Sequence, residues 1–180
     1  GLVDRPLGPP SQGWVHSRDI WRAVLEGHPY RVRGLVGFGA NILLSQSDTS
    51  LGQKALSALE FYVHADLFET PTSKYADILL PANTPWEREG LRTGFESTAQ
   101  AQEHIQLRKR MVSPRGESRS DMEIVFDLAC RLGMRNEFFD GSIERAWNHS
   151  LAPTGITVGE LREKPAGIDL PLVHRERKYS

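Results

Sequence analysis

Polar residues of kinds that can hold a nucleotide follow two short apolar runs of the chain. The segment Gly37-Phe-Gly39-Ala-Asn41 follows the first run, and Asp66 with Thr70 follows the second. Glycine lets a backbone approach a phosphate closely, asparagine both donates and accepts hydrogen bonds, and a carboxylate can accept two N–H groups from a guanine edge. A tight turn at residues 37–41 and an Asx turn at Asp66 explain the same residues at least as well.

Two charged residues extend this set of candidates. Arg88 lies between two glutamates and precedes Gly90, where a cation could neutralise a pyrophosphate. Asp121 follows Ser120, at the predicted start of a helix. The plain alternatives are a solvated surface arginine and a carboxylate that complements the helix dipole, worth about 0.3–1 kcal/mol.

No residue pattern indicates catalysis or metal binding. The six histidines are scattered without ligand spacing, and His64 falls in a predicted strand, where a packed residue is the expected role. Cys130 is the single cysteine, so an intrachain disulfide is excluded. It lies in an apolar run with helical spacing, which favours a small buried side chain. We therefore predict no catalytic residue and no metal ligand.

Composition is that of one ordinary globular domain. The chain has 180 residues, 39% of them hydrophobic and 25% charged, with a formal net charge of −1. This balance argues against a nucleic-acid surface, which needs clustered positive charge. No apolar run approaches the ~20 residues of a membrane helix, and the first residues show no signal-peptide pattern. We expect a cytoplasmic rather than a periplasmic location.

Apolar runs and turn signals predict an α/β fold. Residues 33–39, 60–65 and 77–80 read as buried strands, and a helix ending near residue 59 would connect the first two in a βαβ unit. Residues 104–111 are predicted as a further strand. The expected architecture is a Rossmann-like open, mostly parallel sheet of about four or five strands with helices on both faces. Ser120 and Glu123 form a capping-box pattern for a helix ending near Gly133.

The order and spacing of residues 66–81 and 86–90 resemble one family. A loop rich in hydroxyl residues precedes a short apolar strand closed by Pro81, and Glu87-Arg-Glu-Gly90 follows. These elements resemble the central part of molybdopterin oxidoreductases of the dimethyl sulfoxide reductase family, which includes formate dehydrogenases and nitrate reductases. There the segment belongs to a domain that grips one half of a molybdenum bis(molybdopterin guanine dinucleotide) cofactor. Because those enzymes are much larger, the resemblance implies an internal domain fragment.

The resemblance also implies which residues contact the cofactor. In the family, a Gly-x-Asn element, usually followed by proline, occurs at the end of the strand predicted at residues 33–39. An aspartate and a threonine contact the guanosine. A lysine is common where Arg88 stands, and a further aspartate contacts the nucleotide. Carried over, the cofactor-binding set is Gly39, Asn41, Asp66, Thr70, Arg88 and Asp121. Ile42 replaces the usual proline, and the fork of Arg88 need not reach the same atoms as lysine.

One segment departs from the family pattern. Residues 91–98 keep Thr93 and Glu96 but have Gly94 in place of an asparagine and Thr98 near the usual arginine. We therefore carry over no cofactor contact from this segment.

The resemblance implies three regions and a larger parent protein. Residues 1–18 would be an irregular lead-in, 19–150 the molybdopterin guanine dinucleotide-binding domain, and 151–180 an extended connection toward a further domain. The parent enzyme would transfer an oxygen atom or a hydride equivalent at molybdenum and pass electrons to an iron–sulfur cluster outside this chain. The domain's partners would be the remaining domains of the same polypeptide and the pterin-nucleotide cofactor, and the domain alone would be inactive.

Two alternatives belong to other functional classes. Some large respiratory-complex subunits resemble this family yet are cofactor-free scaffolds, and an independent nucleotide-binding module is also compatible with the polar residues. The joint presence of Asn41, Asp66, Thr70 and Asp121 favours a working cofactor site over a decayed one. Nothing in the sequence indicates the substrate.

Overall fold

The computed structural model describes residues 15–94 and 97–171, and these fall into two units. Unit 1 ends at Ala82, and unit 2 begins at Asn83. This division lies inside the predicted 19–150 domain, whose boundaries stay a prediction. Most of the predicted lead-in, Glu96 and residues 172–180 lie outside the described residues.

Unit 1 is built on a parallel sheet with the strand order β1-β2-β3. Its strands are β1 (Gly34–Phe38), β2 (Phe61–Asp66) and β3 (Ile78–Pro81), and its helices are α1 (Ser17–Leu25), α2 (Ile42–Ser45) and α3 (Thr49–Ala58), with a 3₁₀ turn at Ser73–Tyr75. Asp48 caps α3 by accepting a hydrogen bond from the Leu51 N–H at 3.0 Å. The predicted βαβ unit and the three predicted strands are confirmed.

The core of unit 1 lies against one face of this sheet. Leu35 and Tyr62 are register partners on β1 and β2, and they pack with Trp21 of α1 and Leu56 of α3. Residues next to these along the strands are more exposed, since Phe61, which precedes Tyr62, is half exposed. The period of two places Tyr62 and Phe61 on opposite faces of β2, although Ala65, which alternates with Phe61, is also buried.

Unit 2 is built on an antiparallel sheet with the order β4-β5-β6. Its strands are β4 (Gly90–Arg92), β5 (His104–Arg108) and β6 (Ile168–Asp169), its helices are α4 (Ala99–Glu103), α5 (Asp121–Arg131), α6 (Ile143–Leu151) and α7 (Val158–Glu163), and its 3₁₀ turns are Pro85–Glu87, Phe139–Gly141 and Ala152–Thr154. Its core consists of Ile105 and Leu107 of β5 with Leu151, Val158 and Leu161 of the helices.

The predicted strand at residues 104–111 exists, but it does not extend the parallel sheet. It runs from His104 to Arg108 and pairs antiparallel with β4. Ile105 and Leu107 are buried while their neighbours are half-buried. This alternation is typical of an antiparallel strand with one covered face, whereas central parallel strands are apolar throughout. The sequence predicts four or five parallel strands, whereas the described residues contain three.

Local capping signals fix the start of α5 as predicted. The Ser120 hydroxyl accepts the Glu123 N–H at 3.2 Å, and the Glu123 carboxylate accepts the Ser120 N–H at 2.7 Å. The helix ends at Arg131, just before Gly133, which adopts a positive φ of 89°. Within the predicted connection 151–180, the structure places α7 and β6.

Candidate functional site

The carboxyl ends of β1, β2 and β3 lie at the same edge of the unit 1 sheet, and the first turn there contains Gly39. Gly39 has a φ of 57°, a left-handed conformation that favours glycine. Its N–H donates to the Ala65 carbonyl at 2.8 Å, so this N–H is already used. A Cβ at Gly39 would meet nothing within 4 Å. Gly39 can therefore serve a ligand through the space it leaves rather than through its N–H.

Asn41 is held by a buried threonine. Its side-chain oxygen accepts the Thr72 hydroxyl at 2.7 Å, and the same hydroxyl accepts the Leu43 N–H at 3.1 Å. This arrangement leaves the amide nitrogen of Asn41 as the end that can donate to a ligand. The neighbouring Ile42 donates its N–H to the Ala40 carbonyl at 2.9 Å. Proline, usual in the family at this position, could not make that bond.

Asp66 ends β2 and lines a cavity of about 490 Å³. Its Oδ1 accepts the Leu67 N–H at 2.7 Å, and its Oδ2 lies 3.2 Å from Nε2 of His64. The side chain of Asp66 is 16% exposed. The cavity is also lined by His64, Leu67, Phe68, Glu69, Ser73, Leu79, Leu80 and Pro81. A partly exposed carboxylate with fixed partners at both oxygens is an acceptor of defined direction.

Thr70 holds the loop that follows Asp66. Its hydroxyl accepts the Ser73 N–H at 3.3 Å, and its own N–H donates to the Ser73 hydroxyl at 2.9 Å. The Ser73 hydroxyl in turn lies 2.9 Å from the Thr70 carbonyl, to which it donates. Thr70 therefore shapes the loop that brings Ser73 to the cavity wall.

The two predicted site residues of unit 2 meet as an ion pair. Nη1 of Arg88 lies 3.3 Å from Oδ2 of Asp121, and both line a cavity of about 390 Å³. Both side chains are partly exposed, and such pairs contribute about 0–1 kcal/mol. The pair therefore orients the two side chains more than it stabilises the unit.

A second ion pair in this cavity was not predicted from the sequence. Arg162 donates to both oxygens of Glu89, at 3.0 and 2.8 Å, and also to Glu144 at 2.8 Å. The hydrogen bonds from Arg162 hold the pKa of Glu89 below its ordinary value, although burial opposes this. The same bonds, with Glu89 first, raise the pKa of Arg162. Since 73 residues separate Arg162 from Glu89, no local pattern indicates the pair.

Arg108 carries an unsatisfied donor in the wall of the same cavity. Its Nη1 is buried and has no hydrogen-bond partner among the described residues. A Cβ at Gly90 would lie 2.5 Å from Nη2 of Arg108, so the guanidinium occupies space that only glycine leaves. A buried donor without a partner is costly.

Glu87, His64 and Cys130 lie outside the predicted cofactor-binding set. Glu87 is buried and accepts from Thr84 and from the Arg115 N–H, which lowers its pKa. Glu87 therefore has different partners from Glu89, which pairs with Arg162. His64 is 1% exposed, as expected for a packed residue, while Cys130 is only half-buried.

The described ranges, 15–94 and 97–171, contain neither a candidate metal site nor a candidate membrane span. No group of three His, Cys, Asp or Glu side chains there could hold a metal ion. No helix there has the length and apolar character needed to cross a membrane.

Sequence comparison identifies relatives over most of the chain. The family described as molybdopterin oxidoreductase matches residues 30–131. The chain is 35% identical over 141 residues to the dopamine dehydroxylase of Eggerthella lenta, covering 75% of this chain and 13% of that protein. It is 34% identical over 148 residues to the assimilatory nitrate reductase catalytic subunit of Bacillus subtilis, covering 78% and 20%. A dimethyl sulfoxide/trimethylamine N-oxide reductase of Rhodobacter capsulatus is 33% identical over 135 residues, covering 74% and 15%.

Structural comparison supports the same fold. Acetylene hydratase from Pelobacter acetylenicus superimposes with a TM-score of 0.73 and 23% identity, over 83% of this chain and 20% of that one. The α/β fold class is confirmed. The chain spans 13 to 20% of the length of the three relatives named above.

Proposed function

The chain belongs to the molybdopterin oxidoreductase family, and we propose that it is the internal domain that holds the guanine dinucleotide part of the cofactor. One observation carries this proposal above the others. Asp66 stands at the carboxyl end of a parallel strand, partly exposed in a cavity, with each carboxylate oxygen already fixed by one donor. Ligands of open α/β sheets bind outside the carboxyl ends of the strands.

The chemistry of the side chains fits such a cofactor. The base has N–H groups for the carboxylate of Asp66, and Asn41 can donate to ribose or phosphate oxygens. In unit 2, Arg88 and Arg108 both line the cavity and offer positive charge to a phosphate. Gly39, Thr70 and Asp121 complete the proposed set.

The domain's share of the reaction would be positioning. When bound, the molybdenum cofactor supplies the oxygen-atom or hydride-equivalent transfer, and fixed donors and carboxylates of the protein hold its nucleotide tail. We propose that the remaining domains of the same polypeptide supply the rest of the cofactor site and an iron–sulfur cluster.

Nucleotide affinity of the chain tests this proposal. We expect GDP to bind weakly, with a dissociation constant on the order of millimolar, since only part of the cofactor's contacts are present. Asp66→Asn should weaken GDP binding on the order of tenfold, because an amide offers a donor where an acceptor is needed. Titration calorimetry with GDP and ADP measures both effects.

A matched control removes a different charge from the same cavity. Glu69→Gln takes a carboxylate from the cavity wall without touching Asp66, and it should bind GDP like the wild type. Equal losses in the two variants, or equal binding of GDP and ADP, would show nonspecific attraction and contradict the proposal.

A further inference from the structure

Three polar side chains lie in a row on one face of β2. Tyr62, His64 and Asp66 are separated by two residues each, and alternate residues of a strand share a face. The hydroxyl of Tyr62 lies 2.7 Å from Nδ1 of His64, and Nε2 of His64 lies 3.2 Å from Oδ2 of Asp66. Tyr62 and His64 are each 1% exposed, so the first contact is buried and leads to the partly exposed carboxylate.

Hydrogen-bond chemistry fixes the direction of this row. An ionised carboxylate accepts hydrogen bonds and donates none, so Nε2 of His64 must carry the proton that faces Asp66. In the neutral ring Nδ1 is then an acceptor, and the Tyr62 hydroxyl donates to it. This arrangement satisfies both buried side chains, whose unmet polar atoms would otherwise be costly.

The neighbouring strand leaves room for the row. Gly37 of β1 is the register partner of His64. A Cβ at Gly37 would lie 3.2 Å from both Nδ1 of His64 and the Tyr62 hydroxyl oxygen, closer than ordinary contact.

Burial, with a smaller effect of the negative charge of Asp66, raises the pKa of Tyr62 to about 12. The phenol therefore keeps its proton as a donor at neutral pH.

We propose that Tyr62 and His64 are positioning residues that orient the Asp66 carboxylate for recognition of a guanine base. The inference rests on the proposed function and assigns two residues to it. His64 fixes one carboxylate oxygen and the Leu67 N–H fixes the other, so the plane of the carboxylate is set before any ligand arrives. Two oxygens held in one plane match the two adjacent N–H groups of guanine, whereas adenine offers a donor beside an acceptor.

Nitrogen-15 NMR of the histidine rings tests the geometry without any nucleotide. In the wild-type chain Nε2 of His64 should carry the proton and Nδ1 should accept from Tyr62. Tyr62→Phe removes the donor at Nδ1 while keeping the ring's packing, and the Nδ1 resonance of His64 should shift. Tyr75→Phe, in the same core cluster but outside the row, should leave that resonance unchanged. A wild-type His64 protonated at Nδ1 would overturn the proposed orientation.

Affinity for GDP tests the purpose of the row. His64→Leu removes the donor to Asp66, and GDP binding should weaken about five- to tenfold. His64→Gln can place its amide nitrogen where Nε2 stood, and it should recover most of the affinity. A purely packing role predicts no such rescue, so equal GDP affinities of the leucine and glutamine variants would overturn the proposal.

The two measurements separate the possible failures. If the wild-type chain has the expected tautomer but binds GDP no better than ADP, the proposed function is wrong. The recognition role of Tyr62 and His64 is then wrong as well. A wrong tautomer in a chain that does prefer GDP overturns the positioning role alone.

Discussion

The two units hold their candidate site residues by different means. In unit 1, Asp66 is held by the His64 ring and the Leu67 N–H, and Asn41 is held by the buried Thr72 hydroxyl. In unit 2, the cavity is organised by ion pairs, with Arg88 on Asp121 and Arg162 on Glu89 and Glu144. Individual hydrogen bonds therefore set the geometry of the first site, whereas ion pairs set the geometry of the second. The two should respond differently to mutation, acid and salt.

The largest effect is expected when the central cation of unit 2 is removed. Arg162→Met leaves Glu89 and Glu144 without their shared partner in a partly exposed site, and it should lower the free energy of unfolding by about 1–3 kcal/mol. Urea denaturation measures this change. Arg145→Met, which breaks the more exposed pair with Asp140, is the matched control and should lose about 0–1 kcal/mol. Equal losses in the two variants would mean that the Arg162 pairs contribute no more than a surface pair.

A slightly smaller effect is expected for the buried hydroxyl of unit 1. Thr72→Val keeps the side chain's shape but leaves the Leu43 N–H and the Asn41 oxygen without their partner, at about 1–2 kcal/mol. The same denaturation experiment measures it. Thr93→Val, an exposed threonine, provides the control and should change stability by less than about 0.5 kcal/mol. A silent Thr72→Val would mean that Asn41 is not held in the way described.

Acid should weaken unit 2 before unit 1. The pKa of Glu89 is held below its ordinary value of 4.5 by Arg162. Burial alone would raise the pKa of Glu123, but hydrogen bonds from Ser120 outweigh it and lower that pKa. A carboxyl whose pKa is lower in the folded state stabilises the fold above its unfolded pKa, and this stabilisation is lost as pH falls through the folded pKa. In unit 1, Glu60 beside Arg33 has a lowered pKa, but this pair is exposed.

Amide hydrogen exchange can follow this loss in each unit separately. Between neutral pH and values below 4.5, protection should fall more in α5 and β4, near Glu123 and Glu89, than in β2. Uniform loss across both units would contradict the assignment of the ion pairs as the acid-sensitive contacts.

Salt should produce the smallest difference. Screening weakens partly exposed ion pairs, so the destabilisation caused by Arg162→Met should shrink by a few tenths of a kcal/mol at about 1 M salt. The destabilisation caused by Thr72→Val should stay constant, because no charge is involved. If both values changed in parallel, the distinction between the two units would fail.

Local signals explain what could be predicted from the sequence. The three parallel strands are short apolar runs bounded by turn residues, and the capping box of α5 needs only Ser120 and Glu123 at a spacing of three. The family resemblance also rested on a contiguous stretch, and the family assignment is confirmed. The individual cofactor contacts stay predictions, although Arg88 and Asp121 do meet.

Contacts between distant residues explain what was missed. The antiparallel pairing of β4 with β5 and the Arg162–Glu89 pair depend on the tertiary fold. The packing of the Arg108 guanidinium against Gly90 likewise depends on the tertiary fold, so the sequence does not indicate that Nη1 of Arg108 lacks a partner. One signal is available in the sequence, because Tyr62 and His64 alternate along the predicted strand 60–65 and must share a face. Asp66 directly follows that predicted strand, and in the structure it belongs to β2.

Site-resolved NMR during a GDP titration tests the central claim most directly. The account predicts that GDP shifts the amide resonances of Asn41, Asp66 and Thr70. Asp66→Asn should raise the GDP concentration needed for these shifts about tenfold, and ADP should not move the resonances. Shifts confined to other parts of the chain, or identical shifts with ADP, would contradict a guanine-nucleotide site at the carboxyl end of β2.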